Sequence, residues 1–176
     1  MLKQKAVLLI ILYCGFQDKS FSQINTEKMV KNLIYLEAFG TGGYGSVNYE
    51  RVLFHQKNKQ YPKLNVGLRV GVSTLHLRDF EGKFNPDLIF PVSINAFYGK
   101  IHHLEVGLGQ TISNVVQTNT STFTIERKTT LSSNFTVGYR YQKNKRGPIF
   151  RLNYSPIIST NKVYNNWFGL SVGYGF

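Results

Sequence analysis

The stretch that most restricts the fold is Asn166 to Phe176, which reads Asn-Trp-Phe-Gly-Leu-Ser-Val-Gly-Tyr-Gly-Phe. Phe168, Leu170, Val172, Tyr174 and Phe176 are apolar or aromatic, and Gly169, Ser171, Gly173 and Gly175 stand between them. This is strict alternation with period two, the pattern of a strand whose two faces meet different surroundings. A strand of a soluble sandwich carries charge on its outer face, but here the second face has no charge and little bulk. A strand in a closed transmembrane barrel fits better, with its large residues toward lipid and its small ones toward a crowded lumen.

Seven further alternating runs precede it: Asn32–Gly40, Gly43–Phe54, Lys63–Leu75, Asp87–Tyr98, His102–Val115, Thr129–Gln142 and Pro148–Ser159. Most have the length of a tilted membrane strand. The connections alternate in character. His55–Pro62, Gly99–Ile101 and Lys143–Gly147 are short and basic, whereas His76–Pro86, Gln117–Lys128 and Thr160–Asn165 are longer and more varied. Barrels keep short turns on the periplasmic side and longer loops outside, so an even strand count puts both termini in the periplasm. Gly40-Thr41-Gly42-Gly43 reads as a hairpin turn; no helix follows it, so it is not a phosphate loop. The expected fold class is therefore all-β: an eight-stranded antiparallel transmembrane β-barrel, an up-and-down meander.

The chain has 176 residues, enough for one domain. Lys3 and Lys5 precede the apolar run Ala6 to Tyr13, followed by Ser20-Phe21-Ser22-Gln23. This has the form of a signal peptide, residues 1–23, leaving 24–176 as the barrel domain. Cys14 is the single cysteine and follows Tyr13, which does not suit a lipoprotein cleavage site. The mature chain is then without disulfides or cysteine metal sites. Of the formal charge of +12, three lysines and one aspartate leave with the signal peptide, so +10 remains. Neither a basic helical stripe nor zinc-ligand spacing accompanies that charge, so nucleic acid is not an expected partner.

Parity assigns the faces. In the third run Leu64, Val66, Leu68, Val70 and Val72 alternate with Asn65, Gly67, Arg69, Gly71 and Ser73. In the first, Ile34, Leu36 and Ala38 alternate with Tyr35, Glu37 and Phe39. Applied throughout, the polar face collects Glu37, Glu50, Glu105, Arg69, Arg140 and Arg151. An arginine facing lipid at the midplane costs roughly 2–4 kcal/mol, and six charges outward would cost about 10 kcal/mol, so these six belong in the lumen. There they form a structural charge network in an interior just wide enough to be filled by side chains. If the hairpin of the second and third runs centres between Lys59 and Gln60, Glu50 lies opposite Arg69 and the two are expected to pair; if they do not, Arg140 or Arg151 across the lumen is the base for Glu50.

Strand count, loop asymmetry, aromatic alternation and the terminal Phe176 make the region from Leu33 to Phe176 resemble the small eight-stranded bacterial outer-membrane barrels. That class includes outer membrane protein X and the transmembrane domain of outer membrane protein A. Asn-Tyr-Glu-Arg at Asn48 to Arg51 also resembles the second strand of other small outer-membrane proteins. The resemblance implies that Tyr174 and Phe176 form the assembly signal read by the barrel assembly machinery. It further implies residence in the outer membrane among its lipids and lipopolysaccharide.

Function is less determined, because this class holds structural proteins, adhesins and lipid-modifying enzymes. The expected role is non-enzymatic: envelope structure, or surface interaction through outer loops whose ligand the sequence does not name. Its rivals are a lipid A deacylase or acyltransferase and, further off, a small pore. The deacylases of the class place Ser two positions after His, a spacing absent here; Ser73, His76 and Asp79 are the nearest arrangement. His102 and His103 are adjacent and point to opposite strand faces, so they do not share a metal. Catalytic residues, cofactor and metal are accordingly expected to be none.

Overall fold

Period-two alternation along each strand becomes the two faces of one closed surface. The structure, a computed structural model, describes residues 30–56, 62–79, 81–119, 124–159 and 164–176. The expected signal peptide and its cleavage site lie outside the described residues, as does most of the connection His55–Pro62.

Eight strands follow in order: β1 (Asn32–Gly40), β2 (Gly43–His55), β3 (Lys63–Ser73), β4 (Leu88–Gly99), β5 (His102–Asn119), β6 (Thr124–Gln142), β7 (Gly147–Ser159) and β8 (Tyr164–Gly175). Each pairs antiparallel with its neighbour in sequence, and β1 pairs with β8, so the meander closes as a barrel. Closure removes the unpaired edges of an open sheet. The seam aligns Ile34 with Tyr174 and Ala38 with Leu170. Asn32 and Phe176 exchange main-chain hydrogen bonds of 3.2 and 2.8 Å at its end.

Two strands run well past their expected limits. The segment read as a loop, Gln117–Lys128, is largely a ribbon in which Val115 pairs with Lys128 and Asn119 with Thr124. Its sequence is polar on both faces, so alternation stops while main-chain pairing continues. A second departure is a bulge between Val52 and Phe54. It turns Leu53 and Phe54 outward together, while Val52 remains inward.

The third departure is at the β1–β2 turn. Gly40 pairs with Gly43 across Thr41 and Gly42, as a hairpin requires. Gly43 has φ 84° and Phe39 φ 57°. The left-handed conformation suits glycine and breaks the parity of β1 at Phe39. Phe39 therefore leaves the inward face assigned to it by the sequence and is 53% exposed. The turn itself folds inward, and the Thr41 carbonyl accepts a 3.1 Å hydrogen bond from the Thr111 hydroxyl of β5.

The lumen is filled in three layers. At the end where β1 begins and β8 ends, Val30, Leu33, Tyr35, Val52, Phe97 and Ile149 form a small apolar cluster. Alternation marks these positions as inward but does not distinguish an apolar layer from the polar one beside it. The middle layer is ionic. The far end is closed by the inward turn, with Asn134 Nδ2 donating to Thr111 Oγ1 at 3.1 Å. Outside, the surface is apolar: Leu104, Leu108, Leu152 and Leu170 are 57–67% exposed.

Glycines on the inward face let the wall approach its neighbours. A Cβ on Gly173 would lie 2.2 Å from the Ile34 carbonyl oxygen and 2.6 Å from Tyr35 Cα. Backbone atoms at the closing seam cannot swing aside, so Gly173→Ala is expected to lower stability by about 1–3 kcal/mol, the usual penalty of overpacking. Gly45→Ala is the control, since the nearest atom to its Cβ would be 4.0 Å away. Urea unfolding of both variants in lipid vesicles measures the difference; equal midpoints would contradict the seam geometry.

Candidate functional site

Charge in a narrow lumen must be neutralised from within, because water does not reach it. The barrel supplies three acids and three bases on its inward face. Glu37 comes from β1, Glu50 from β2, Arg69 from β3, Glu105 from β5, Arg140 from β6 and Arg151 from β7. All six are at most 2% exposed. Shared inward parity places all six on the same side of the wall.

Their connections form one chain of alternating sign. Arg69 Nη2 donates to Glu37 Oε1 at 2.7 Å, and Arg151 Nη1 reaches Glu37 Oε2 at 3.5 Å. Arg151 also holds Glu105, with Nε and Nη2 at 3.1 and 2.5 Å. Arg140 holds the same carboxylate from the other side, with Nε and Nη2 at 2.8 and 3.0 Å. Arg140 then reaches across the lumen to Glu50, donating to both of its oxygens at 2.8 Å. The planar guanidinium allows this double fork, which a lysine could not supply.

The register explains the central position of Glu105. Arg140 and Arg151 are direct partners across β6 and β7. Like charges placed so are destabilising. Glu105 lies between them and neutralises both.

The expected ion pair between Glu50 and Arg69 is corrected by the structure. The two are register partners. Yet Glu50 bonds Arg140, while Arg69 bonds Glu37 and the Asn48 side-chain oxygen, the latter at 2.9 and 2.7 Å. Long side chains in a narrow barrel extend toward its axis, so reach across the lumen outweighs adjacency on the wall.

Neutral residues complete the network. The Tyr35 hydroxyl donates to Glu50 Oε2 at 3.2 Å, and its ring lies 4.6 Å from the Arg151 guanidinium carbon. The Arg140 guanidinium lies 4.1 Å from the centre of the Phe97 ring. Such cation–π contacts favour the charged form in a dry interior. Ser171 donates to Glu37 Oε2 at 3.1 Å. Inward parity already marked Tyr35 and Ser171, but nothing in their sequence neighbourhoods assigned their partners. The arrangement carries no net charge and leaves no carboxylate without a base, which suits a rigid filling.

The histidines lie apart from this network. His103 points inward beside Phe97 at 5.4 Å, and His102 points outward onto Tyr139. His76 Nδ1 is 3.0 Å from Asp87 Oδ2, so its carboxylate partner is Asp87 rather than Asp79. Asp79 instead accepts from the main-chain N–H groups of Glu81 and Lys83, each at 3.0 Å. Ser73 donates to the Gly45 carbonyl at 2.5 Å, so among the described residues Ser73, His76 and Asp79 are not joined. Tyr174 and Phe176 are both about half exposed on the outer face.

A closed eight-stranded meander with polar residues inside and apolar residues outside is the architecture of the small outer-membrane barrels. Among solved structures the chain is similar to the N-terminal β-barrel domain of Pseudomonas aeruginosa OprF. The TM-score is 0.55 and the identity 14%, covering 85% of this chain and 98% of that one. At that identity the likeness is one of fold. No family model matches the sequence, and no curated protein matches it.

Proposed function

We propose that this protein is an integral outer-membrane barrel whose filled lumen is a structural support rather than a passage or a catalytic centre. It contributes to the envelope, or meets partners at the surface, through the end opposite the termini. The observation that carries this reading is the inversion of polarity: six buried charges inside and a belt of half-exposed leucines outside. Water would strongly disfavour that exterior, and lipid accommodates it. The end bearing the termini then faces the periplasm, and the β5–β6 ribbon and the segment between β3 and β4 face outward among lipopolysaccharide. Tyr174 and Phe176, presented together on the lipid face, are suited to recognition by the barrel assembly machinery.

Fractionation tests the location. The mature protein is expected with outer membranes, resistant to carbonate, and faster on gels when unheated than when boiled. Recovery in the soluble periplasm would overturn the reading. Conductance tests the role of the lumen. Three filled layers are expected to give no steady current steps in a planar bilayer, whereas large, ion-selective steps would make the protein a channel. Overexpression should also leave the lipid A mass spectrum unchanged; a modified lipid A that reverts with His76→Ala would favour the enzymatic reading.

A further inference from the structure

Beyond the inward turn, the lumen widens into a cup of about 390 Å³. Its floor is the β1–β2 turn, fixed by the hydrogen bond from Thr111 to the Thr41 carbonyl. Thr41 lines the cup together with Gly43 of the same turn. On one side Tyr44 and Trp167 meet edge to face, with centroids 5.8 Å apart and planes at 78°. On the other, Ser113, Thr130 and Gln117 supply hydroxyl and amide groups. Lys128 is the one charged side chain among the described residues that line it, and no carboxylate joins them.

Resting on the outer-membrane reading, which makes this mouth face the outside, we propose that the cup binds a sugar unit bearing a carboxylate or a phosphate. The aromatic, polar and charged parts of the lining match such a molecule, and Leu75, Ile89 and Ile157 add apolar wall beside them. Aromatic rings take the apolar C–H face of a pyranose, hydroxyl and amide groups pair with its hydroxyls, and Lys128 meets the anion. A nucleotide or polyphosphate would require more than one cation, and a purely apolar ligand would leave the hydroxyls unpaired. The volume falls in the range of sites for small ligands, about 300–1,000 Å³.

Trp167 is the single tryptophan of the chain, so intrinsic tryptophan emission reports the cup directly. The folded, detergent-purified barrel is titrated with sodium galacturonate, glucose 6-phosphate and methyl α-glucoside. Saturable changes are expected with the two anionic sugars, and weaker ones with the neutral glucoside. Lys128→Gln should weaken both anionic sugars on the order of tenfold, the loss of one charge-assisted hydrogen bond, and leave the glucoside unmoved. Tyr44→Ala should weaken all three. Free glycans and the sugars of neighbouring glycolipids share this chemistry. Titration in vesicles with and without an acidic glycolipid separates them, because a glycolipid source would change Trp167 emission before any sugar is added and a free-glycan source would not.

A wild-type barrel that shows its heat-dependent gel shift but no saturable response would overturn the cup while leaving the outer-membrane reading intact. Anionic titrations unchanged by Lys128→Gln would also overturn it. Failure of the wild-type chain to form a heat-modifiable barrel would overturn both readings.

Discussion

Glu105→Gln is expected to lower the stability of the barrel by about 3–5 kcal/mol, the usual consequence of removing one partner from a buried ion pair. Four guanidinium N–H contacts of 2.5–3.1 Å converge on this carboxylate from Arg140 and Arg151. The amide keeps the volume but turns an acceptor-only group into one with an NH₂ that faces two cations. It also leaves Arg140 and Arg151 side by side on β6 and β7 with their shared counter-charge gone. Water cannot screen them, since both are 1% exposed. Urea unfolding in lipid vesicles measures the loss. Glu81→Gln is the comparison: it breaks the 2.6 Å pair with Lys83 on the exposed segment between β3 and β4 and should leave the midpoint unchanged. Similar midpoints for the two variants would show that the lumen is wetter than its burial indicates.

Glu50 provides a second test, because it separates register from contact. Its register partner is Arg69, but its bonded partner is Arg140. In a double-mutant cycle, Glu50→Gln with Arg140→Gln is expected to show a coupling of about 2–3 kcal/mol, the upper part of the range for residues in contact. Once the acid is neutral, removing the base no longer strands Glu50, and the loss of the Arg140 contacts to Glu105 is common to both backgrounds and cancels in the cycle. Glu50→Gln with Arg69→Gln should couple by less than about 1 kcal/mol, since each residue keeps its own partners. Equal couplings, or a larger one with Arg69, would mean that wall adjacency decides the pairing and that the cross-lumen geometry is wrong.

These two experiments bear on the proposed role of the lumen. A network whose members fail together is a rigid filling, and it blocks passage by the same contacts that hold the wall in shape. A mouth closed beneath by such a filling offers a site without a route inward, as a binding cup requires.

The sequence by itself determined where the strands lie, which face of each is polar, and that six named charges stand on that face. Those properties are local. Alternation with period two follows from strand geometry, and β1 begins and ends at Asn32 and Gly40, as its pattern reads. Glu50 does stand opposite Arg69, but alternation gives only parity, and the bulge between Val52 and Phe54 shifts the register by one before the turn. Alternation failed where the local rule ceases to apply: at Phe39, where a left-handed residue breaks parity; at Phe54, where a bulge repeats the outward face of Leu53; and in the β5–β6 ribbon, where both faces are polar. Only the tertiary structure decided which acid meets which base, that Asp87 rather than Asp79 serves His76, and that a glycine-rich turn folds inward to make the floor of a cup. The physical reason is distance across the barrel. Eight strands close to a diameter that opposing arginine and glutamate side chains can span, so partners are set by closure and side-chain reach rather than by separation along the chain.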